Sequence, residues 1–120
     1  VEVYDPQTNS WQRVASMPRG LSGPVAVAMG GKIYVAGGTI QGESVNSYVY
    51  DPQVNTWTRL ANMSTARRLH ASAAVGSKLY VFGGANTVGR LSTVEVYDPA
   101  SDSWAEGASL TSVRSSLMAI

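Results

Sequence analysis

The stretch Lys78–Gly84 (KLYVFGG) is followed by Val94–Pro99 (VEVYDP) and then by Trp104. An apolar and aromatic run that leads into a glycine pair is typical of a β-strand that ends in a sharp change of chain direction. Tyr-Asp-Pro is in turn typical of a strand that ends in a turn, because Pro presets φ and Asp bonds its own backbone. The three words together indicate successive short strands.

The same words occur in two further copies, so the chain is a repeat. The earlier copies are Lys32–Gly38 (KIYVAGG) with Tyr48–Pro52 (YVYDP) and Trp57, and Val1–Pro6 (VEVYDP) with Trp11. The glycine pairs lie 46 residues apart, and successive tryptophans lie 46 and 47 residues apart. In all three copies the tryptophan follows the tyrosine of Tyr-Asp-Pro by 7 residues. A fixed period of this length indicates a repeat architecture.

The repeated words resemble the kelch repeat, in which a strand ends in a Gly-Gly pair and a tyrosine and a tryptophan follow at fixed distance. The resemblance covers essentially all 120 residues. It implies an all-β fold, a kelch-type β-propeller with one four-stranded antiparallel blade per repeat. A lone Gly-Gly pair would imply nothing, but the three words recurring in register are specific.

The length predicts a partial propeller. At this period the chain holds about two and a half repeats, whereas propellers close with roughly 4–8 blades. Residues 1–18 are expected to form the second half of a blade, 19–64 and 65–111 one repeat each, and 112–120 the first strand of a further blade. The remaining blades are expected in a longer chain or an assembly. The 120 residues alone are expected to be marginally stable or to associate irregularly.

Eleven strands are predicted, and no window shows sustained helical periodicity. They cover Val1–Tyr4, Trp11–Val14, Val25–Met29, Ile33–Ala36, Tyr48–Tyr50, Trp57–Leu60, Ala71–Val75, Leu79–Phe82, Val94–Tyr97, Trp104–Glu106 and Ser115–Ile120. The Gly-Gly, Tyr and Trp positions are interpreted as packing devices. Asp5, Asp51 and Asp98 each precede a proline and are interpreted as turn residues, not as metal ligands or an acid/base set.

Composition excludes several classes of function. A net charge of +1 with 14% charged residues suggests neither a nucleic-acid binder nor a membrane-surface binder. The longest apolar run, Val25–Met29, is too short to cross a bilayer. The sequence has no cysteine, so it forms no disulfide framework and no thiolate metal site, and no cofactor is expected. The compartment is not fixed by the sequence, although a cytoplasmic location is favoured.

Basic residues are the first candidates for a binding site. Arg67 follows Met63 by four residues, and Arg114 follows Leu110 by the same distance, so the two arginines are in register. In the kelch family an arginine that enters the inner strand either ties adjacent blades together or grips an acidic peptide. Both roles stay open here, since a bidentate guanidinium suits either. His70 precedes a first strand and is either a satisfied histidine or a ligand contact at the channel mouth.

The loops that follow the glycine pairs are the second candidates. Residues 39–44 and 85–90 share almost no amino acids, although the strands that flank them match closely. A constant scaffold with divergent loops is typical of a binding surface. Gln41, Asn86 and Arg90 are therefore expected to contribute to binding.

Recognition of another protein or peptide, with an acidic segment as the expected ligand, is the function that these residues favour. The repeats resemble those of the kelch-like substrate adaptors of cullin ubiquitin ligases, in which a kelch propeller holds the substrate. That resemblance implies a binding module, and ligase membership is an analogy of fold and repeat pattern alone. Because the sequence shows no catalytic constellation, no enzymatic activity is expected.

Two alternatives stay open. Kelch propellers also occur in galactose-oxidase-like enzymes and in sialic-acid mutarotases. The oxidase needs a cysteine-linked tyrosine, which a sequence without cysteine cannot form. A mutarotase would have to draw on Arg67, His70, Arg90 and Arg114. The other alternative is a repeat array without a ligand.

Overall fold

The computed structural model of the chain describes residues 1–116 together with Met118 and Ala119, and its regular structure is all β. The strands are β1 (Glu2–Asp5), β2 (Ser10–Arg13), β3 (Val25–Met29), β4 (Lys32–Ala36), β5 (Ser47–Asp51), β6 (Thr56–Arg59), β7 (Ala71–Val75), β8 (Lys78–Phe82), β9 (Ala85–Asn86), β10 (Gly89–Arg90), β11 (Val94–Asp98) and β12 (Ser103–Glu106). No helix long and apolar enough to span a membrane occurs in these described residues.

Ten of the strands form two and a half blades, as the repeats predict. Blade 2 is the antiparallel sheet β3-β4-β5-β6, and blade 3 is the sheet β7-β8-β11-β12. The first hairpin, β1-β2, has the register of the outer two strands of a complete blade, since Tyr4 faces Trp11 as Tyr97 faces Trp104. The all-β partial propeller is therefore confirmed.

The turns between third and fourth strands form as the Tyr-Asp-Pro words predict. The side chain of Asp51 accepts the backbone N–H of Gln53 (3.0 Å), and Asp5 and Asp98 make the same contact in their own turns. The Tyr50 hydroxyl donates to Asn55 at the end of the turn (2.9 Å), which steadies the left-handed backbone of Asn55 (φ 52°). The turn interpretation of the aspartates is thus confirmed.

The hydrophobic core lies between the two complete blades. Blade 2 contributes Tyr34 and Ala36 to it, blade 3 contributes Leu79, Val81 and Tyr97, and the linker after blade 2 adds Met63. All six side chains are buried, and Val25, Val27 and Met29 of the inner strand β3 pack against them. A blade therefore buries its apolar face on its neighbour and not within itself.

Each outer tryptophan of a complete blade contacts the linker that leads into that blade. The indole N–H of Trp57 donates to the carbonyl of Ala15 (2.8 Å), and that of Trp104 donates to Ala61 (2.9 Å). Both rings are half-buried, whereas Trp11 of the first hairpin is 68% exposed. Trp57 and Trp104 are thus packing residues, as predicted, and they also satisfy a backbone carbonyl.

Two features differ from the predicted strand pattern. A short hairpin, β9-β10, forms inside the segment after Gly84, which the sequence analysis interpreted as a divergent loop. The strand predicted within residues 112–120 falls partly on residues 117 and 120, which lie outside the described part. Arg114 itself pairs with Leu91 through a single bridge.

Trp57→Ala is expected to lower the free energy of unfolding by about 3 kcal/mol, at the lower end of the range for Trp→Ala because the ring is half-buried. Trp57→Phe keeps most of the ring and is expected to cost about 1 kcal/mol for the lost hydrogen bond. Trp11→Ala is the matched control at the same repeat position, with an expected change within about 0.5 kcal/mol. Urea unfolding measures all three, and a Trp57→Ala variant as stable as its parent would contradict the packing role.

Candidate functional site

The loop face is the edge of the blades that carries every predicted binding residue. Antiparallel strands bring the loops after the glycine pairs (38–46 and 84–93) and the linkers between blades (18–24, 65–70 and 107–116) to this edge. The short turns, such as Gly30-Gly31, lie at the opposite edge.

Short backbone bridges join these segments into one continuous strip, the loop-face belt. The bridges pair Ser22 with Thr39, Thr39 with Glu43, Arg68 with Ala85, Ala85 with Arg90, and Leu91 with Arg114. A hydrogen bond from the N–H of Arg67 to the carbonyl of Ser44 (3.4 Å) connects the two halves of the belt. The linkers therefore hold the loops in place, and the backbone from which each belt side chain extends is fixed by hydrogen bonds.

The glycine pairs exist because the linkers pass directly over them. A Cβ on Gly84 would lie 2.6 Å from the carbonyl oxygen of Arg68 and 2.8 Å from the Cβ of His70, and φ at Gly84 is +93°. A Cβ on Gly37 would overlap the ring of His70. Contact and backbone conformation both require glycine, which agrees with the interpretation of the glycine pairs as packing devices.

Arg67 lies inside the junction between blades 2 and 3 and is completely buried. Its guanidinium donates to the carbonyls of Gly83 (2.7 Å) and Thr93 (3.1 Å) and to the Thr93 hydroxyl (3.1 Å). It also pairs with Glu95 at 2.8 Å. Of the two roles that the sequence left open, this geometry is that of an arginine that ties adjacent blades together.

Glu95 is the residue that organises this junction, and the sequence interpretation missed it. Its carboxylate accepts the N–H and the hydroxyl of Ser64 (2.7 and 2.8 Å) and the N–H of Thr65 (3.3 Å), besides the guanidinium of Arg67. A buried carboxylate with this many donors is fully compensated. The available signal was a difference between copies: the strand before Tyr-Asp-Pro carries the charged Glu95 in blade 3 and Tyr48 at the same position in blade 2.

His70 is buried and lies against the preceding blade. Its Nε2 is 3.1 Å from the carbonyl oxygen of Ala36, which it satisfies as a donor in the neutral ring. Burial lowers the pKa of His70 from 6.5 to about 4, and the charge of Arg67 adds to this effect. His70 is therefore neutral at pH 7. It is buried and not open to a ligand, and its Nδ1 has no hydrogen-bond partner in the described part of the chain.

Arginines on the belt are the exposed charged groups of this face. Arg90 and Arg114 are exposed, and in the described part of the chain no carboxylate lies within 4 Å of either guanidinium. Arg68, which the sequence interpretation did not single out, is exposed beside them and pairs with Glu43 at 3.1 Å. Its position directly after Arg67 was the available signal.

The two amides of the predicted site differ in their surroundings. Gln41 is exposed at the tip of its loop. Asn86 is half-buried, accepts the N–H of Val88 (2.9 Å) and donates to the carbonyl of Ala66 (3.3 Å). Asn86 thus fixes the β9-β10 hairpin, and with it Arg90, against the linker. The described residues contain no group of three His, Asp or Glu side chains close enough to hold a metal ion.

Comparison with known families identifies this architecture. The model of the KLHDC2/KLHL20/DRC7 Kelch-repeats domain matches residues 1–115. The chain belongs to the kelch-repeat family. The resemblance of the Gly-Gly, Tyr-Asp-Pro and Trp words to kelch repeats is thereby confirmed.

A solved kelch-type structure shows the same fold. The structure of YjhT superposes with a TM-score of 0.79 and 21% sequence identity, over 93% of this chain and 44% of that chain. The kelch chain described here therefore spans less than half of that protein, and at this identity the likeness concerns the fold. A search of the curated proteins gives no match.

Arg67→Ala is expected to lower the free energy of unfolding by about 3–5 kcal/mol, because it leaves the buried Glu95 without its counter-ion. Arg114→Ala removes the arginine at the same position of the next kelch repeat, where the side chain is exposed, and is expected to change stability by less than about 0.5 kcal/mol. Urea unfolding at a concentration where the chain is monomeric compares the two. Equal effects would show that the buried ion pair is not what stabilises the junction.

Acidification is expected to destabilise the kelch blades between pH 6.5 and 4. The unfolded chain binds a proton at His70 more readily than the folded chain does, so this stability is fully present above pH 6.5 and is lost as pH falls towards 4. The loss amounts to about 3 kcal/mol at about 1.4 kcal/mol per pKa unit. Urea unfolding from pH 7 to pH 4 measures it, with His70→Gln as the variant in which this part of the pH dependence disappears. An unchanged pH profile in that variant would rule out His70 as its source.

Proposed function

We propose that the chain is a recognition segment of a kelch propeller that binds an acidic stretch of another protein along the loop-face belt. Arg90 and Arg68 are the donors of this site, and Gln41 adds a neutral amide at its rim. The observation that carries the proposal is the exposure of these arginines on a belt whose backbone is fixed by hydrogen bonds.

The division between scaffold and loops supports this proposal. The residues repeated in every kelch copy serve the blades, as the buried Tyr97 and the half-buried Trp104 illustrate. The residues that differ between copies lie in loops 39–46 and 85–93 and include the exposed Gln41 and Arg90. Divergent exposed side chains on a constant scaffold are the usual composition of a recognition surface.

Electrostatics favour an acidic ligand. The exposed Arg90 lies on the strand next to Ala85, and Arg68 lies on the other side of the same residue. The two arginines thus originate about two strand spacings, or roughly 10 Å, apart. A guanidinium binds carboxylates in bidentate geometry, and an extended acidic segment can reach both groups at once. Glu43 is the internal competitor, because it already pairs with Arg68.

Other residues expected to bind have different places in this proposal. Arg67 and His70 are buried in the blade junction and serve its stability. Arg114 corresponds to Arg67 in the next repeat, so a neighbouring blade is its more direct partner. Asn86 positions the hairpin that carries Arg90.

The proposal includes no catalytic step, because the one histidine is buried against a backbone carbonyl. Holding a substrate protein, as the ligase adaptors do, is compatible with it at the level of recognition.

The proposal is tested with a fluorescent octapeptide of alternating glutamate and glycine, and a matched peptide in which glutamine replaces glutamate. Fluorescence anisotropy should show binding of the acidic peptide that weakens with added salt. Arg90→Ala is expected to weaken binding by about 1–3 kcal/mol, the value of a hydrogen bond to a charged group. Glu43→Gln is expected to strengthen binding, since it releases Arg68.

Lys78→Ala is the matched control variant. Lys78 is an exposed cation of the same blade, but it lies at the start of β8, about 13 Å along the strand from the loop face. It is expected to leave binding unchanged. Equal binding of the acidic and glutamine peptides, or an Arg90→Ala variant that binds like its parent, would contradict the proposal.

A further inference from the structure

The linker between blades 2 and 3 contains a leucine whose backbone lies in the left-handed region. Leu69 has a φ of 53°, and Gly23 and Ser116, at the same position of the other two linkers, have φ values of 61° and 53°. The three linkers therefore turn in the same way, and the turn requires a left-handed residue here. Glycine adopts this conformation readily, whereas a residue with a Cβ is strained in it.

Leu69 differs in chemistry from the other strained residues. In the part of the chain that the structure describes, six residues other than glycine have a positive φ, and five of them are polar. Three of these, Asn9, Asn55 and Asp102, each accept a hydrogen bond from the hydroxyl of a tyrosine in the same hairpin. Short polar side chains tolerate the left-handed region because they bond locally. A leucine has no such compensation, so local structure does not account for it.

Burial does not account for the leucine either. Leu69 is 48% exposed, although Arg67 and His70 of the same linker are buried. Both blades that flank this linker are complete, and the loops on either side of it, 38–46 and 84–93, are among the described residues. The exposure of Leu69 is therefore a property of an interior junction whose neighbours are in place.

The exposed leucine lies beside the arginines of the loop-face belt. Leu69 directly follows Arg68, which pairs with Ala85, and Ala85 pairs in turn with Arg90. The carbonyl of Leu69 accepts the N–H of Ser116 (2.7 Å), so its backbone is held on the far side as well. An apolar side chain thus extends from a fixed backbone next to exposed guanidinium groups. An apolar contact at such a place excludes water from a neighbouring ion pair and strengthens it.

We propose that Leu69 is the apolar anchor of the recognition surface, and that the ligand is an extended acidic segment with an apolar side chain two residues from an acidic one. Alternate side chains of an extended segment point to the same side and lie about 7 Å apart. A segment whose carboxylate binds Arg68 therefore brings its next side chain on that side to Leu69. The backbone strain is retained because the side chain serves binding.

This inference rests on the proposed binding of an acidic segment and adds to it a requirement for an apolar residue. The arginines select the charge of the ligand, and Leu69 selects among acidic segments. A leucine that starts from a fixed backbone loses little conformational entropy when a ligand covers it. The first linker has Gly23 at this position, so this selectivity belongs to the junction between blades 2 and 3.

The experiment uses the alternating glutamate–glycine peptide in two extended forms. The leucine probe carries Leu-Gly before the first glutamate and a leucine after the last glycine, so that a leucine lies two residues from a glutamate in either chain direction. The serine probe has serine in place of both leucines. Fluorescence anisotropy should show that the full chain binds the leucine probe about fivefold more tightly, the gain expected when the exposed half of a leucine is covered.

Two substitutions separate the side chain of Leu69 from its backbone conformation. Leu69→Gly removes the side chain together with the strain, and Leu69→Ala removes most of the side chain but keeps the Cβ that causes the strain. Both variants should bind the leucine probe only as tightly as the serine probe. Urea unfolding should give Leu69→Gly a midpoint equal to or above that of the parent, because Gly23 adopts the same turn in the first linker.

Val75→Ala is the matched control. Val75 is a 60% exposed apolar residue of blade 3 at the edge opposite the loop face, and the variant should bind both probes like the parent. A leucine probe that binds no better than the serine probe overturns the inference and leaves the recognition of an acidic segment standing. A Leu69→Ala or Leu69→Gly variant that keeps the gain from leucine overturns it as well.

Stability and total loss of binding give two further outcomes. A Leu69→Gly variant that unfolds at lower urea than its parent assigns the leucine to packing, and this result overturns its role as an anchor. If neither probe binds the parent, the recognition of an acidic segment and the role of Leu69 both fail.

Discussion

A four-stranded kelch blade has two apolar faces and can bury neither of them by itself, and the rest of the structure follows from this constraint. The core of the chain therefore lies between blades 2 and 3, where Tyr34 and Ala36 of one meet Leu79, Val81 and Tyr97 of the other. Stability in such an array is a property of junctions more than of single blades. In the described residues no linker contacts the outer tryptophan of the first hairpin as Ala15 contacts Trp57, and Trp11 is exposed.

Apolar contact between two sheets is non-directional, so polar groups have to fix how one blade follows another. The linker supplies donors that would otherwise be buried without partners, and the following blade supplies the acceptors. Glu95 does this with a charge at the second junction. At the first junction Leu21 and Tyr48 stand at the positions of Arg67 and Glu95, so this ion pair does not form there.

The repeats predicted the fold well because the Gly-Gly, Tyr-Asp-Pro and Trp motifs determine local backbone geometry. Asp51 forms its turn and Gly84 its close approach from interactions within a few residues or with the adjacent linker. The role of Arg67 could not be predicted in the same way, because register gives its position and not whether a carboxylate from the next blade meets it. The β9-β10 hairpin escaped prediction for a related reason. Its pairing is supported by the linker that bridges Arg68 to Ala85 and by Asn86, whose side chain bonds both the hairpin and that linker.

The same linkers connect stability to recognition. They fill the junction below the loop face and, with the same backbone, bridge the loops above it. Arg67 points into the junction, and the next residue, Arg68, is exposed on the belt and pairs with Glu43. A side chain that starts from such a fixed backbone loses less conformational entropy when it binds than one on a free loop would. Sequence variation in loops 39–46 and 85–93 can therefore change what the surface recognises without disturbing the junctions beneath it, since the bridges that hold those loops are made by the backbone.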